Sequence, residues 1–259
     1  MRFHKHPSSE LVELFHHRPF QGQSPEQASI IFLSSDANYS PEISGHSFFK
    51  RILEYHANGV SFWKRQGCHH PFLLPDYPFN KNTGGVPFHR NFSKLGLGPE
   101  HAEHISFLEL IDVPTIGNKS EDREQYHKLL NSSSSHHEYL SRLITGGEHK
   151  LFFVSGGVLN DMRKIPRSSS LFPWLNEESE HACWSTNSLH GNIVNKSYHF
   201  SSSQIHGQLT RIRTEIDHWL ERNKAISEAV EKHGYRQREV ADHLGMYFTS
   251  ISRIVKQKR

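Results

Sequence analysis

The sequence contains no long apolar run and only two cysteines, and both absences narrow the possible classes of protein. No stretch of its 259 residues approaches the roughly 18 consecutive apolar residues that a membrane-spanning helix needs. Residues 1–20 lack the apolar core and the small-residue cleavage site of a secretion signal. We therefore expect a cytoplasmic protein with no membrane partner. Cys68 and Cys183 cannot by themselves build a four-cysteine zinc or iron–sulfur site, and we expect two reduced thiols.

Metal-binding motifs are also absent, although the chain has 22 histidines and several adjacent pairs of them. None of the pairs has the i, i+4 helical spacing, supported by a carboxylate, that is typical of zinc motifs. The pattern favours surface or hydrogen-bonded structural histidines. We predict no metal and no cofactor.

Four short apolar runs predict strands that are buried on both faces. They are Ser29–Leu33, Ile105–Ile111, Lys150–Gly156 and Asn195–Phe200. The segments between and after them have apolar residues three or four positions apart, which is typical of amphipathic helices. Strands that alternate with helices favour a central parallel sheet of about four strands with helices on both faces. The sequence therefore predicts a three-layer α/β sandwich over residues 1–222.

Residues 223–259 predict a small all-α helix-turn-helix module that binds DNA. Val240 and Ala241 have the spacing of an inner helix face, Gly245 suits the tight turn, and Ile251 and Ile254 anchor a second helix. From Lys224 onward, eight basic residues stand against four acidic ones, which favours a polyanionic partner. The segment resembles the helix-turn-helix at the C-termini of bacterial transposase-like and regulatory proteins. The predicted DNA contacts are Arg238, Thr249, Ser250, Ser252, Arg253 and Lys256.

Polar side chains that could carry chemistry follow the predicted strands. In parallel sheets the functional groups lie at the carboxyl ends of the strands. Asp36 comes directly after the first strand, with Asn38 and Tyr39 in the same turn. Glu109 lies within or just after the second strand, and His199 follows the fourth. We expect these side chains to meet at one edge of the sheet.

This arrangement resembles the uracil-DNA glycosylase superfamily. The resemblance consists of an Asp turn after the first strand ("SSDANY"), a Phe about thirteen residues later, and a late His-x-Ser ("HFS") before the last helix. It implies that Asp36 orients a water molecule and stabilises the cationic sugar. It also implies that His199 stabilises negative charge on the leaving base, and that Phe49 or Phe48 stacks on the flipped base.

The same resemblance implies contacts with the DNA backbone and with the base. Ser201, with Ser202 beside it, would contact a DNA phosphate. The segment Cys68–Gly98 predicts a long ordered loop, and within it His89, Arg90 and Lys94 are expected at the DNA backbone. Asn38, Tyr39 and Glu109 are expected at the base.

Departures from the family pattern indicate a particular substrate. Ala37 and Phe200 stand where proline is usual, and Asn38 stands where a tyrosine normally crowds the 5-position of uracil. Glu109, or Asp112 as its rival, replaces a base-reading amide. A carboxylate accepts hydrogen bonds and therefore suits the exocyclic amine of cytosine. These features predict a monofunctional glycosylase for a 5-substituted cytosine, such as hydroxymethylcytosine or its glucosylated form in phage DNA.

Two other functions remain open from the sequence. A transcriptional regulator would combine the DNA-binding module with a ligand-sensing α/β domain. A transposase or nuclease is suggested by the C-terminal resemblance, but a metal-dependent nuclease should show clustered acidic ligands. Double-stranded DNA is the expected partner in each case.

Overall fold

The structure is a computed structural model that describes residues 1–147, 149–177 and 182–256. Lys258 and Arg259, which contribute to the basic C-terminal charge, lie outside the described residues. The strands are β1 (His4–Lys5), β2 (Phe20–Gly22), β3 (Ile30–Ser34), β4 (Ile105–Glu109), β5 (Thr115–Ile116), β6 (Leu151–Ser155), β7 (Ser185–Leu189) and β8 (Asn192–Ser197).

Most α-helices lie between these strands in the chain, and the last three follow the final strand. They are α1 (Ser9–His17), α2 (Phe49–Ala57), α3 (Gly59–Gln66), α4 (Val86–Ser93), α5 (Arg123–Ser132), α6 (Ser134–Thr145), α7 (Gly156–Arg163), α8 (Ser168–Leu171), α9 (Leu209–Glu231), α10 (Gln237–Leu244) and α11 (Phe248–Lys256). Short 3₁₀ turns connect several of them, including Pro71–Leu73 and Ser203–Gln208. Within the described residues, no helix has both the length and the apolar content needed to cross a bilayer.

The main sheet is mixed and has six strands in the described part of the chain, in the order β2-β4-β3-β6-β8-β7. The four central strands, β4, β3, β6 and β8, are parallel, and they correspond to the four strands that the sequence predicts. The α/β class is confirmed. The sheet is larger than predicted and mixed, because β2 and β7 add an antiparallel strand at each side. Neither edge strand has a continuous apolar run: β2 is three residues long, and β7 is polar and only partly buried.

Both faces of the central strands are covered, which explains their unbroken apolar sequences. In β3, Ile31 contributes to an apolar cluster together with residues of α5, α6 and α7. The next residue, Phe32, contributes to a second cluster with residues of α3, α4 and α9. Alternate residues of one strand therefore lie in two different cores.

The strand order makes the carboxyl end of β3 a topological switch point, where successive connections lead to opposite sides of the same strand. The connection that leaves β3 leads to β4 on one side, whereas β6 lies on the other side of β3. Crevices that bind ligands form at such switch points of α/β sheets. Asp36 lies two residues after Ser34, the last residue of β3, so its position is set by the topology of the sheet.

Helix α9 belongs to both parts of the molecule. Its first half contributes Ile212, Ile216 and Trp219 to the core against the sheet. Its second half contributes Ile226 to a separate small core with α10 and α11. The predicted boundary at residues 222 and 223 thus falls between the two cores, but within one continuous helix and not in a linker.

The C-terminal helices have the arrangement that the sequence predicts for a helix-turn-helix. Val240 and Ala241 of α10 pack against Ile251 and Ile254 of α11. Gly245 ends α10 with a φ of +62°, a left-handed conformation that glycine adopts without a steric penalty.

Candidate active site

A cavity of about 840 Å³ lies at the carboxyl ends of β3 and β4. The turns after β3 and β8, the segment after β5 and helix α4 also contribute to its wall. It brings together seven of the predicted site residues, namely Asp36, Asn38, Tyr39, His89, Glu109, His199 and Ser201. Asp36 and His199 thus line the same cavity, although they come from opposite ends of the α/β domain.

The carboxylate of Asp36 is held by two side chains. Oγ1 of Thr115 donates a hydrogen bond to its Oδ2 at 2.6 Å, and Nδ2 of Asn38 lies 3.3 Å from the same oxygen. Asn38 is itself fixed, because its Nδ2 also donates to the carbonyl of Gly117 at 2.9 Å. Burial raises the pKa of Asp36, whereas these two donors and the positive charge of Lys119 oppose the rise. The donors thus favour an ionised carboxylate at the end of β3.

His199 is a neutral hydrogen-bond donor at neutral pH. Burial, and secondly the charge of Lys119, lower its pKa to about 4. The backbone N–H of Ser201 donates to Nδ1 of His199 at 3.1 Å. Since Nδ1 accepts, the ring proton of the neutral imidazole is on Nε2.

Glu109 lies at the end of β4 and is only 4% exposed. Nε2 of Gln21 donates to its Oε1 at 3.0 Å, and Oε2 has no hydrogen-bond partner among the described residues. Burial, followed by the nearby charge of Asp36, raises the pKa of Glu109 to about 8. At neutral pH the group therefore carries a proton. It can donate a hydrogen bond, contrary to the expectation that a carboxylate here would only accept.

Asp112, the rival of Glu109, does not reach the cavity. Oγ of Ser133 donates to Oδ1 of Asp112 at 2.7 Å, and this contact holds Asp112 near α5. Tyr39 lines the cavity but is 3% exposed, and its hydroxyl is hydrogen-bonded to Nε2 of His56 at 3.0 Å.

The structure does not bring Phe48 or Phe49 to the cavity. Both belong to an apolar cluster with Ile52, because α2 begins here and turns this face toward the core. Other aromatic side chains line the cavity instead, namely Phe72, Tyr77, Phe79, Phe88 and Phe107. Phe88 is only partly buried, and its ring centroid lies 5.7 Å from that of His199. Phe88 therefore offers an accessible aromatic ring beside His199.

The segment Cys68–Gly98 supplies most of these aromatic groups. It was predicted as a long loop, but it contains a 3₁₀ turn at Pro71–Leu73 and helix α4. Its richness in aromatic residues and its length were the signals that could have identified Phe88. Thr115 and Lys119 were missed, although they follow the same strand as Glu109.

Three residues of this segment were predicted to contact the DNA backbone, and the structure separates them. His89 is buried, stacks on His70 with ring centroids 3.7 Å apart and lies against His69, so it faces the cavity and not a DNA backbone. Arg90 and Lys94 are exposed. Arg90 donates to the carbonyl of Lys81 at 3.1 Å, and Nζ of Lys94 donates to Oδ1 of Asn91 at 3.1 Å. Both cations lie on the surface near α4.

The serines after β8 also differ from one another. Ser201 lines the cavity, and its backbone N–H orients His199 as described above. Oγ of Ser202 instead accepts a hydrogen bond from the backbone N–H of Gln204 at 3.2 Å. Ser202 therefore caps the 3₁₀ turn before α9.

The helix-turn-helix lies at the amino ends of the central strands, whereas the cavity lies at their carboxyl ends. Oγ of Ser250 in α11 is 3.5 Å from the carbonyl oxygen of Gly147, which precedes β6. A Cβ atom at Gly191, which precedes β8, would lie 3.6 Å from Ser250 Oγ. The module thus contacts the turns at the amino ends of β6 and β8, whereas the segment after the carboxyl end of β8 lines the cavity, and a strand of five residues spans about 17 Å.

Most of the predicted DNA contacts of the module are accessible, with one exception. Arg238, Thr249, Arg253 and Lys256 are exposed and Ser252 is partly buried. Ser250 is 1% exposed, so the prediction that it contacts DNA is wrong. The reason is its contact with the turns before β6 and β8, which the sequence of α11 alone does not reveal.

Comparisons with protein-family models, curated proteins and solved structures found no match for this chain. Its function has to be inferred from the geometry and chemistry of the cavity.

Proposed function

We propose that the chain is a monofunctional DNA N-glycosylase of the three-layer α/β type that acts on double-stranded DNA in the cytoplasm. It flips a modified base, a 5-substituted cytosine such as hydroxymethylcytosine or its glucosylated form, into the cavity and leaves an abasic site. The observation that carries this is that Asp36 and His199 line one cavity. The two apolar clusters on opposite faces of the sheet support the layered architecture.

Asp36 would stabilise the sugar in the transition state. Cleavage of an N-glycosidic bond leaves positive charge on the deoxyribose, so a fixed anion beside the ring stabilises the transition state more than the ground state. The hydrogen bonds from Thr115 and Asn38 hold the carboxylate in place. The same carboxylate would orient the attacking water molecule.

His199 would act on the departing base. A neutral imidazole with its proton on Nε2 donates a hydrogen bond to an oxygen on which negative charge develops. The contact from the backbone of Ser201 fixes the ring in the donating tautomer. Anion stabilisation of this kind is worth about 100- to 1,000-fold in rate for a single donor.

The wall around the cavity suits a flipped, substituted base. Extrusion from the duplex costs a few kcal/mol, which aromatic stacking on a side chain such as Phe88 would offset. Asn38 is tied to Gly117 and Thr115, so a short amide borders the cavity where the glycosylase family has a tyrosine. The cavity volume of about 840 Å³ leaves room for a substituent on the base. Arg90 and Lys94 lie on α4 or just after it and offer positive charge to the backbone.

A base-release assay tests this function. The protein is incubated with EDTA and duplexes that contain uracil, hydroxymethylcytosine or glucosylated hydroxymethylcytosine, and alkali then cleaves any abasic sites. We expect alkali-dependent scission at the hydroxymethylcytosine or its glucosylated form, and its loss in Asp36→Asn. Scission that requires a metal ion, or no release from any substrate, would refute the glycosylase function.

A second candidate is a transcriptional regulator whose cavity senses a small ligand. It is favoured by the placement of the helix-turn-helix at the opposite edge of the sheet from the cavity. Sequence-specific duplex binding without base release would support it. Equal affinity for all duplexes together with base release would exclude it.

A further inference from the structure

The orientation of Glu109 is fixed by a chain of hydrogen bonds whose direction can be assigned from its far end. The backbone N–H of Phe72 donates to Nδ1 of His70 at 3.2 Å, so the proton of the neutral His70 ring is on Nε2. Nε2 of His70 then donates to Oε1 of Gln21 at 2.9 Å. The amide of Gln21 donates in turn to Oε1 of Glu109 at 3.0 Å. Oε1 of Glu109 is therefore an acceptor.

This leaves Oε2 of Glu109 to carry a proton. The residue lines the cavity, is 4% exposed, and its Oε2 has no partner among the described residues. An ionised carboxylate with an unpaired oxygen in such a place is costly, and the usual outcome is protonation. Since Oε1 accepts from Gln21, the hydroxyl of the neutral acid is at Oε2.

The cations that line the same cavity are paired with other carboxylates: Nζ of Lys119 lies 2.9 Å from Asp161, and the N-terminal amine of Met1 lies 2.6 Å from Glu121. The other titratable groups around Glu109 add no positive charge. The carboxyl of Asp36 adds no positive charge, and burial raises the pKa of the hydroxyls of Tyr39 and Tyr55, which therefore stay neutral. Burial lowers the pKa of His70 well below its ordinary value, and that of His89 to about 3, so both rings are neutral too. His136, whose Nε2 is 2.7 Å from the backbone oxygen of Glu109, also has a lowered pKa because of burial.

The two carboxyl groups of the cavity are held in different states. Asp36 has donors in Thr115 and Asn38 and the field of Lys119, whereas Glu109 has Gln21 alone. When two neighbouring carboxyls compete for one negative charge, the better-solvated group keeps it. Asp36 is therefore the anion and Glu109 the acid, which is the combination that a hydrolytic cleavage needs.

We propose that Glu109 is the general acid of the reaction and donates its Oε2 proton to N3 of a cytosine-type base as that base departs, an assignment that rests on the proposed function. The C1′–N1 bond breaks, its electron pair passes into the ring, and a new N3–H bond forms. Water then forms the C1′–O bond and gives a proton to Asp36. Transfer of this proton to Glu109 through solvent restores the site.

This role explains why an acid stands at the end of β4. A departing cytosine lacks the second carbonyl over which uracil spreads its negative charge, so it needs protonation more than uracil does. N3 of cytosine also carries a free lone pair, whereas N3 of uracil already carries a hydrogen. Proton donation at N3 therefore accelerates loss of cytosine-type bases specifically.

The test is single-turnover base release by the full chain from duplexes that contain hydroxymethylcytosine or uracil. The wild-type rate on hydroxymethylcytosine should fall tenfold per pH unit above about 8, where Glu109 loses its proton. Glu109→Gln keeps an acceptor and a donor but has no transferable proton. Its rate on hydroxymethylcytosine should fall by about 100-fold or more and lose the alkaline decline. Any activity on uracil should change far less.

The control is Glu221→Gln, at an exposed residue of α9 that does not line the cavity, which should leave both rates unchanged. Thermal unfolding and duplex binding establish that the Glu109→Gln variant folds and binds. A wild-type rate and pH profile in Glu109→Gln, or an equal loss on both substrates, would overturn the role of Glu109 and leave the glycosylase standing. Absence of base release in the wild-type protein would overturn both.

A direct titration keeps the protonation state testable without turnover. Isotope-edited infrared or NMR spectroscopy should show the Glu109 carboxyl titrating near pH 8, with the Glu109→Gln variant identifying the signal. Ionisation of Glu109 in its ordinary acidic range would overturn the proposed role.

Discussion

Oγ1 of Thr115 in β5 donates to Oδ2 of Asp36 at 2.6 Å and so links the turn after β3 to β5. The same threonine backbone oxygen accepts from the N–H of Tyr39, and its N–H donates to Ala37. The turn that carries Asp36 is therefore hydrogen-bonded to β5 through both backbone and side chain. The position of the carboxylate thus depends on a residue distant in sequence.

Thr115→Val should raise the pKa of Asp36 further, because the ionised carboxylate loses its shortest hydrogen bond while the volume stays similar. A hydrogen bond to a charged group contributes about 1.5–3 kcal/mol, which corresponds to about one to two pKa units. The acidic limb of the pH–rate profile should move upward by that amount. Thr145→Val on α6 is the matched control, and an identical profile in Thr115→Val would contradict the role of the bond.

Lys119→Met should shift the same limb in the same direction, but less. The charge of Lys119 lowers the pKa of both Asp36 and His199, so its removal raises both. The side chain is 44% exposed and is also paired with Asp161, so screening limits the shift to about half a pH unit or less. Lys164→Met, which removes the other lysine near Asp161, should leave the profile unchanged. A downward shift would contradict this electrostatic assignment.

The folded protein should lose stability steeply below pH 6.5, the ordinary pKa of histidine. Burial lowers the pKa of His56 and His89 to about 3 and that of His137 to about 4. The unfolded chain therefore binds protons that the folded chain does not. The contribution of these histidines to stability is full above pH 6.5 and falls as pH drops toward their folded-state values, by about 1.4 kcal/mol per pH unit for each such histidine.

Denaturant unfolding at several pH values measures this slope. Nε2 of His137 contacts the backbone oxygen of Leu110 at 3.0 Å, and His137→Gln keeps a donor there but does not titrate. The variant should show a slope that is smaller by about one proton. His17→Gln at an exposed site should keep the wild-type slope. Stability that rises on acidification in this range would refute the assignment of neutral buried histidines.

Lys256→Gln should weaken binding to undamaged duplex DNA without changing base release from short duplexes that reach only the cavity. Lys256 is exposed at the end of α11, on the side of the molecule away from the cavity. Loss of one phosphate contact reduces the slope of log affinity against log salt by about one. Lys232→Gln, at an exposed cation paired with Glu228, is the control. An unchanged salt slope would exclude Lys256 from the DNA interface.

The sequence predicts well those elements that are fully buried or whose packing partners are close in sequence. β3 reads as Ile-Ile-Phe-Leu because both of its faces are covered, and the position of Asp36 follows from where that run ends. The core of the helix-turn-helix was predicted for the same reason, since Val240 and Ile251 are close in sequence and pack together.

Features that depend on long-range contacts could not be predicted. Phe49 has the spacing of a helix face, but only the packed structure shows that this face turns to the core and away from the cavity. Gln21 reaches Glu109 because β2 pairs with β4, and β2 is too short to have a sequence signature. Ser250 is covered by turns from another part of the chain.

The shared helix α9 has a mechanical consequence. A helix of 23 residues is a stiff rod about 35 Å long, with Ile216 locked into the core beneath the sheet and Ile226 into that of the terminal helices. Any tilt of α10 and α11 must therefore bend α9 or rotate its amino-terminal end. That end follows the short turn Ser203–Gln208 after His199, so such a rotation would displace the segment that carries the imidazole.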